Sequence, residues 1–305
     1  MTQGASRRDF MGTVGGSLLL AGAAENARAA AGKLKVCIFS KHLQFVQGEA
    51  LVRTAADIGF DGIDITVRKG GHVEPGRVRE DLPRLVRTIR AGNLEVPMVT
   101  TDIVDATTPF AADVLATLQD LGIRNYRWGG LKYTAGEPIA AQLTAFRPRI
   151  AKLAELNLRY KTCAMYHTHS GVGLVGAPIW DLHILLDGLD PAAIGVNYDI
   201  GHATIEGGVG GWIESFNITG RYLHGIAVKD LVWGRNARGG WQPQWVPLGE
   251  GMVRLPAFFT MVAKAGSSGP LQMHFEYELG DPAQTAFAMK RDLAKLRGLL
   301  AQAGV

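Results

Sequence analysis

Cysteine is nearly missing from this chain: Cys37 and Cys163 are the only two among 305 residues. That excludes a disulfide-stapled scaffold and a Cys-rich metal cluster. Each lies in an apolar run of strand type, so two separate core thiols are expected rather than a bridge. No apolar stretch approaches the roughly 20 residues a spanning helix requires, and no stable membrane anchor is expected. Lys and Arg form no run, and a formal charge of +4 spread over the whole length argues against a nucleic-acid partner. No G-x-G-x-x-G follows the first expected strand, which removes the dinucleotide-binding signature of a doubly wound sheet.

What remains is a composition with 47% hydrophobic and 20% charged residues, enough for one large core. The first residues stand apart from it. "SRRDFMG" (6–12) carries the pair Arg7 and Arg8, "TVGGSLLLAGAA" (13–24) is a short apolar stretch, and Ala27 and Ala29 frame a small-residue cleavage site. In that order the three parts read as a twin-arginine export signal over 1–29, leaving a mature domain over 30–305 in the periplasm. Export in folded form fits a protein that carries a cofactor.

Strand-length apolar runs then alternate with helical patterns. Strands are expected at 34–40, 62–67, 96–102, 125–130, 162–168, 194–200, 225–230 and 271–277. Amphipathic spacing predicts helices over 48–59, 79–92, 143–156, 179–189, 255–266 and 281–304. About eight strand-helix units in one chain imply an α/β fold of the (β/α)8 TIM-barrel type as a single domain, whose chemistry sits at the C-terminal ends of its strands.

Those ends collect Asp64, Trp128, His167, His169, Asp199, His202, Lys229, His274 and Glu276. Strand alternation puts His167 and His169 on one face, as it does Asn197 with Asp199 and His274 with Glu276. If these faces point into the barrel mouth, His167, Asp199 and Glu276 converge as one nitrogen and two oxygen ligands for one divalent ion: Mn, Co, Zn, Fe or Mg. His274 alone reads as a buried, satisfied histidine.

At these residues the chain resembles the xylose-isomerase-like TIM-barrel superfamily, which includes sugar-phosphate isomerases, ketose 3-epimerases and endonuclease IV. The resemblance covers nearly all of the mature domain and rests on "GFDGID" (59–64), "YDIGHA" (198–203), "VKD" (228–230), "PLGEG" (247–251) and "HFEYE" (274–278). It implies a metal-assisted isomerase or epimerase of a small sugar, by proton abstraction beside a carbonyl. In that family the fifth strand supplies a Glu ligand where this chain has His167, and the seventh supplies a His where this chain has Ala227. His169, His202 and Asp199 match the family pattern, as does Glu276.

From the resemblance, Glu276 is expected to act as base, His169 or His202 as acid, and Lys229 to lie near the developing oxyanion. Asp64, Trp128 and Glu250 are expected to contact substrate, with Trp233 and Trp241 as further apolar faces for a sugar ring. With one ligand lost and another changed, two alternatives stay open: a keto-glycoside lyase sharing the same first step, and a non-catalytic carbohydrate-binding barrel. Endonuclease activity is the least expected reading, because that branch uses a larger His-rich multi-metal set and this chain shows no basic stripe, and a homo-oligomer is compatible with everything above.

Overall fold

The computed structural model describes residues 34–305. The expected export signal over residues 1–29 lies outside the described residues. In chain order the first half runs β1 (Val36–Phe39), α1 (Gly48–Ile58), β2 (Gly62–Val67), α2 (Val78–Ala91), β3 (Met98–Thr101), α3 (Ala111–Asp120), β4 (Asn125–Trp128) and α4 (Ile139–Tyr160). The second half continues with β5 (Cys163–His167), α5 (Trp180–Leu186), β6 (Ile194–Asp199), α6 (Ile200–Gly207), α7 (Gly211–Thr219) and β7 (Leu223–Val228). A hairpin of β8 (Asp230–Arg235) and β9 (Trp241–Val246) follows, then α8 (Leu255–Ala265), β10 (Leu271–Met273) and α9 (Pro282–Ala303).

Eight parallel strands close into one barrel in the order β1, β10, β7, β6, β5, β4, β3, β2. The chemistry of the strands explains this arrangement. β2, "GIDITV", is buried at all six positions, as expected of a strand covered by side chains inside the barrel and by helices outside. The helices are one-sided: α2 buries Val78, Leu82, Leu85, Val86 and Ile89 at helical spacing and turns its arginines outward. α9 starts at a capping box, Asp281 accepting from Gln284 N at 2.9 Å while the Gln284 side chain accepts from Asp281 N at 2.9 Å. Cys37 and Cys163 are both free and buried, as expected.

Register decides which residues face inward. Arg127 pairs with Thr100 and Met165, His167 with Asn197, and Asp199 with Ala227, which in turn pairs with Gln272. Partners across a ladder share a face, so all of these point into the barrel. Near the C-terminal end of the strands this face is polar. Thr100 Oγ1 donates to Asp64 Oδ2 at 2.7 Å, Gln272 Nε2 donates to the same oxygen, and Asn197 Nδ2 donates to Gln272 Oε1.

Several boundaries differ from expectation. The last strand ends at Met273 rather than 277, because pairing with β1 and β7 extends over only three positions. His274 N still donates to Val228 O at 3.0 Å, and residues 274–278 then leave the sheet as a loop over the mouth. α3, α6, α7 and the β8–β9 hairpin were not expected.

The motif pieces "VKD" and "PLGEG" meet in one contact. Asp230 is 1% exposed, and its carboxylate accepts from the amides of Leu231, Gly249, Gly251 and Val253 at 2.8, 2.9, 3.0 and 3.1 Å. A Cβ at Gly251 would collide with that carboxylate, so only glycine lets the loop wrap it. Asp230→Ala strands these amides, and at about 1–3 kcal/mol for a buried unpaired group, partly relieved by water, the loss should be about 3–5 kcal/mol. Thermal unfolding should register it as a drop of roughly 10 °C.

Candidate metal centre and substrate mouth

β5, β6 and the segment after β10 each deliver one buried side chain to the same point. His167 Nε2 lies 3.4 Å from Asp199 Oδ2, and His274 Nδ1 lies 3.9 Å from that oxygen. Both histidine side chains are 1% exposed and that of Asp199 is fully buried. Neither facing imidazole nitrogen has a hydrogen-bond partner, and the Asp199 oxygen has only the Lys229 ammonium as an ion-pair neighbour. Burying an unpaired polar atom is costly, and two unpartnered imidazole nitrogens converging on a carboxylate are what a divalent ion would satisfy. Two imidazoles and one carboxylate leave coordination positions free for water or substrate. The Nδ1 of His167 sits 3.2 Å from the Asn197 amide nitrogen.

The structure brings His167 and Asp199, two of the three ligands expected from sequence, together with His274, which was not in that set. Glu276, two residues on, stands at the rim with its side chain 25% exposed, 3.6 Å from Lys41 Nζ and 4.0 Å from His274 Nδ1. Burial pushes the Glu276 carboxyl up, but Lys229, Lys41 and His42 outweigh it and hold the group below its ordinary value, so it is ionised at neutral pH.

Lys229 is buried on the same inward face as Ala227. Its ammonium lies 3.1 Å from Asp199 Oδ2 and 2.8 Å from His202 Nε2. Burial pushes Asp199 up, yet the adjacent Lys229 charge holds it well below the carboxylate range. Trp245, from β9, covers this pair: Lys229 Nζ is 4.6 Å from its ring centroid and the His202 ring meets it edge-on at 5.3 Å. The hairpin tryptophan at the site is therefore Trp245. Trp233 and Trp241 lie 41% and 63% exposed on the hairpin.

His169 Nδ1 is 3.2 Å from the His167 carbonyl, and its Nε2 accepts from Arg127 at 3.3 Å. Its one N–H is thus spent on the backbone. Trp128 lies on the outward face of β4, edge-on to Tyr166 at 5.0 Å, although it also borders a cavity of about 320 Å³ that reaches His167 and His169. The inward residue of β4 is Arg127. Sequence reading passed over it, but the alternation used for β5 and β6 marks it once Thr100 is taken as inward. Asp64 is fully buried in the polar layer beneath the mouth, where one carboxylate oxygen accepts from Thr100 and Gln272. Glu250 has a side chain 59% exposed and faces Arg291 at 3.9 Å on the outer flank.

Four histidines share this mouth in neutral form. Burial, with Arg127 and neighbouring charges, pushes His169 down to about 3, and burial takes His202 to about 4. His167 and His274 are pushed down by burial further still. Unfolded histidines titrate near 6.5, so below that pH the unfolded chain binds protons that the folded chain refuses, and stability falls. Asp64, raised by burial to about 7, works the other way, since its contribution is lost as pH rises through that value. Four groups outweigh one. Thermal melts of EDTA-treated protein should show Tm falling steadily from pH 6.5 to 4.

A model described as xylose isomerase-like TIM barrel matches residues 52–298. No curated protein matches the chain in sequence. Among solved structures, a D-tagatose 3-epimerase-like protein superposes with a TM-score of 0.69 at 14% identity, covering 89% of this chain and 100% of that one. The 3-keto-D-glucoside 4-epimerase of E. coli gives 0.64 at 15% identity over 87% and 100%. A xylose isomerase-like TIM barrel protein from Mycobacterium smegmatis, in complex with magnesium, gives 0.65 at 16% over 89% and 98%. At such identities the likeness is one of fold.

Proposed function

Because the chain belongs to the xylose isomerase-like TIM barrel family, we propose that it is a metal-dependent sugar isomerase or epimerase working by proton abstraction next to a carbonyl. The observation that carries this reading is the convergence of two unpartnered imidazole nitrogens, of His167 and His274, on the buried carboxylate of Asp199, beside an ionised Glu276 and a buried Lys229. Sugar epimerases among the structural neighbours support the substrate class.

His167, Asp199 and His274 would hold the ion, which when bound supplies polarisation of the sugar carbonyl. Glu276 accepts the proton from the carbon next to that carbonyl. The Lys229 ammonium, already donating to His202, stabilises the developing oxyanion and can return a proton, while His202 holds it in place. His169, a neutral acceptor fixed by Arg127, orients substrate. The test is proton exchange: protein loaded with Mn, Co, Zn, Fe or Mg and given ketoses or 3-keto sugars in deuterated water should incorporate deuterium next to the carbonyl. Absence of exchange from every sugar in the presence of stoichiometric metal would refute the reading.

A second reading, a keto-glycoside lyase, is favoured by one observation. A side cavity of about 300 Å³ opens past His169 and His202, walled by Ala177, Pro178, Ile179 and Trp180, with room for an apolar leaving group. Release of an aglycone from a 3-keto-glycoside would identify it. We also propose export through the twin-arginine route. Replacing Arg7 and Arg8 with Lys should hold precursor in the cytoplasm on cell fractionation, and unchanged export would exclude it.

A further inference from the structure

Two guanidinium groups border the cavity of about 320 Å³ that opens onto His167 and His169: Arg68, from just past β2, and Arg127, from β4. Both lie against one ring, with their central carbons 5.5 and 5.7 Å from the centroid of Phe39. That ring stacks in turn on His274 at 5.0 Å, so the arginines sit directly beside the candidate metal ligands.

Several other arginines of the described chain are paired, Arg77 with Asp81, Arg79 with Asp113, Arg149 with Asp105 and Arg297 with Asp61, and others such as Arg90 and Arg124 donate to backbone carbonyls at the surface. Arg68 and Arg127 have no carboxylate within ion-pair distance among the described residues, and the Arg68 side chain donates no hydrogen bond to protein there. Arg127 donates one, to His169. The nearest acids do not change this. Asp64 Oδ2 accepts from Thr100 and Gln272 while its charge attracts both arginines from beyond ion-pair distance, and Asp102 lines the cavity rim, where its carboxylate accepts from Lys69 N at 3.3 Å. Like charges held together over an apolar ring repel, and each is poorly hydrated in a cavity. Burial already weakens the hold of Arg127 on its proton, to about 10.

We infer that the substrate carries an anionic oxygen group, a carboxylate or phosphate monoester, which binds between Arg68 and Arg127 while the neighbouring carbonyl faces His167, Asp199 and His274. Planar guanidinium forks match either oxyanion in bidentate fashion. This rests on the reading of the site as a sugar-transforming centre and names the substrate as an acidic sugar. His169 then acts as a spacer, bridging Arg127 and the metal side and setting the distance between the two ends of the substrate.

The test is calorimetric titration of metal-loaded protein with D-glucuronate, D-glucose 6-phosphate and D-glucose, and with inorganic phosphate and acetate as bare anions. Wild type should bind at least one anion about tenfold or more tightly than it binds glucose, and salt raised from about 0.05 to 0.5 M should weaken the anion alone. Arg68→Gln, at a partly buried position at the cavity rim, should abolish most of that preference, and Arg127→Gln should do the same. Preference for glucuronate and acetate identifies a carboxylate, and preference for phosphate and its ester identifies a phosphoryl group. No anion binding above glucose, or equal weakening of acid and neutral sugar in both variants, overturns the inference. Metal content and deuterium exchange are read separately, so an enzyme that exchanges protons from neutral sugars alone would sink the acidic substrate and leave the catalytic reading standing. Anion binding without metal would do the reverse.

Discussion

His274→Ala is expected to lose the divalent ion, with affinity down at least about a hundredfold, whereas Glu276→Gln is expected to keep it and lose about a thousandfold in proton exchange. The two residues are only two positions apart in the loop after β10, but different work is proposed for them. His274 is buried, with both ring nitrogens unpartnered, and one points at Asp199. Removing it takes away a third of the donor set and opens a cavity against Phe39. Glu276 stands at the rim, where cations keep it ionised, so its amide loses the basic oxygen and leaves the donors beneath intact. Metal analysis on dialysed protein and deuterium uptake by mass spectrometry separate the two. The opposite pattern, metal lost with Glu276→Gln and retained with His274→Ala, would restore His167, Asp199 and Glu276 as the binding set.

Asp199→Ala should combine two losses, no bound metal and a stability drop of about 4–6 kcal/mol. Its carboxylate is the counter-charge of a buried lysine, and breaking such a pair costs about 3–5 kcal/mol because Lys229 is left charged and alone. The same carboxylate caps α6 by accepting from His202 N at 3.0 Å, worth about 1 kcal/mol more. Urea unfolding can apportion these. Asp199→Asn keeps an oxygen for the cap while removing the charge, so it should recover about the capping share. Pairing Asp199→Asn with Lys229→Met removes both charges and should restore most stability, though not the metal. A double variant no more stable than Asp199→Asn would show that Lys229 is not held by this pair.

Much of the barrel was legible because buried parallel strands are short apolar runs with their own boundaries. "GIDITV" matches β2 residue for residue. The hairpin was not, since "VKD" reads as the end of a strand. What turns the chain back is the loop 236–240, where Asn236 N donates to Gly240 O at 2.8 Å, a contact no hydrophobic period encodes. At the site, His167 and Asp199 stood out as polar residues ending apolar runs. His274 did not, because a histidine followed by Phe, Glu and Tyr looks no different from a satisfied one until its two empty nitrogens are seen. Arg127 escaped notice because the conspicuous neighbour, Trp128, lies on the other side of the same strand. Burial without a partner is a property of three dimensions, and both omissions come from it.

The order in which the strands close has a consequence for how the molecule is made. β1 is held on one side by β2, its near neighbour in sequence, and on the other by β10, where Val36 pairs with Leu271. Nothing from the first half of the chain can supply that second ladder. During synthesis the strands from β1 to β7 can line up progressively, yet the edge of β1 stays open until the last short strand is complete. Such distant pairing slows folding and leaves an exposed edge able to recruit other chains. Truncation before residue 271, or slow release of the last 35 residues, should therefore yield aggregation-prone protein rather than a smaller stable barrel.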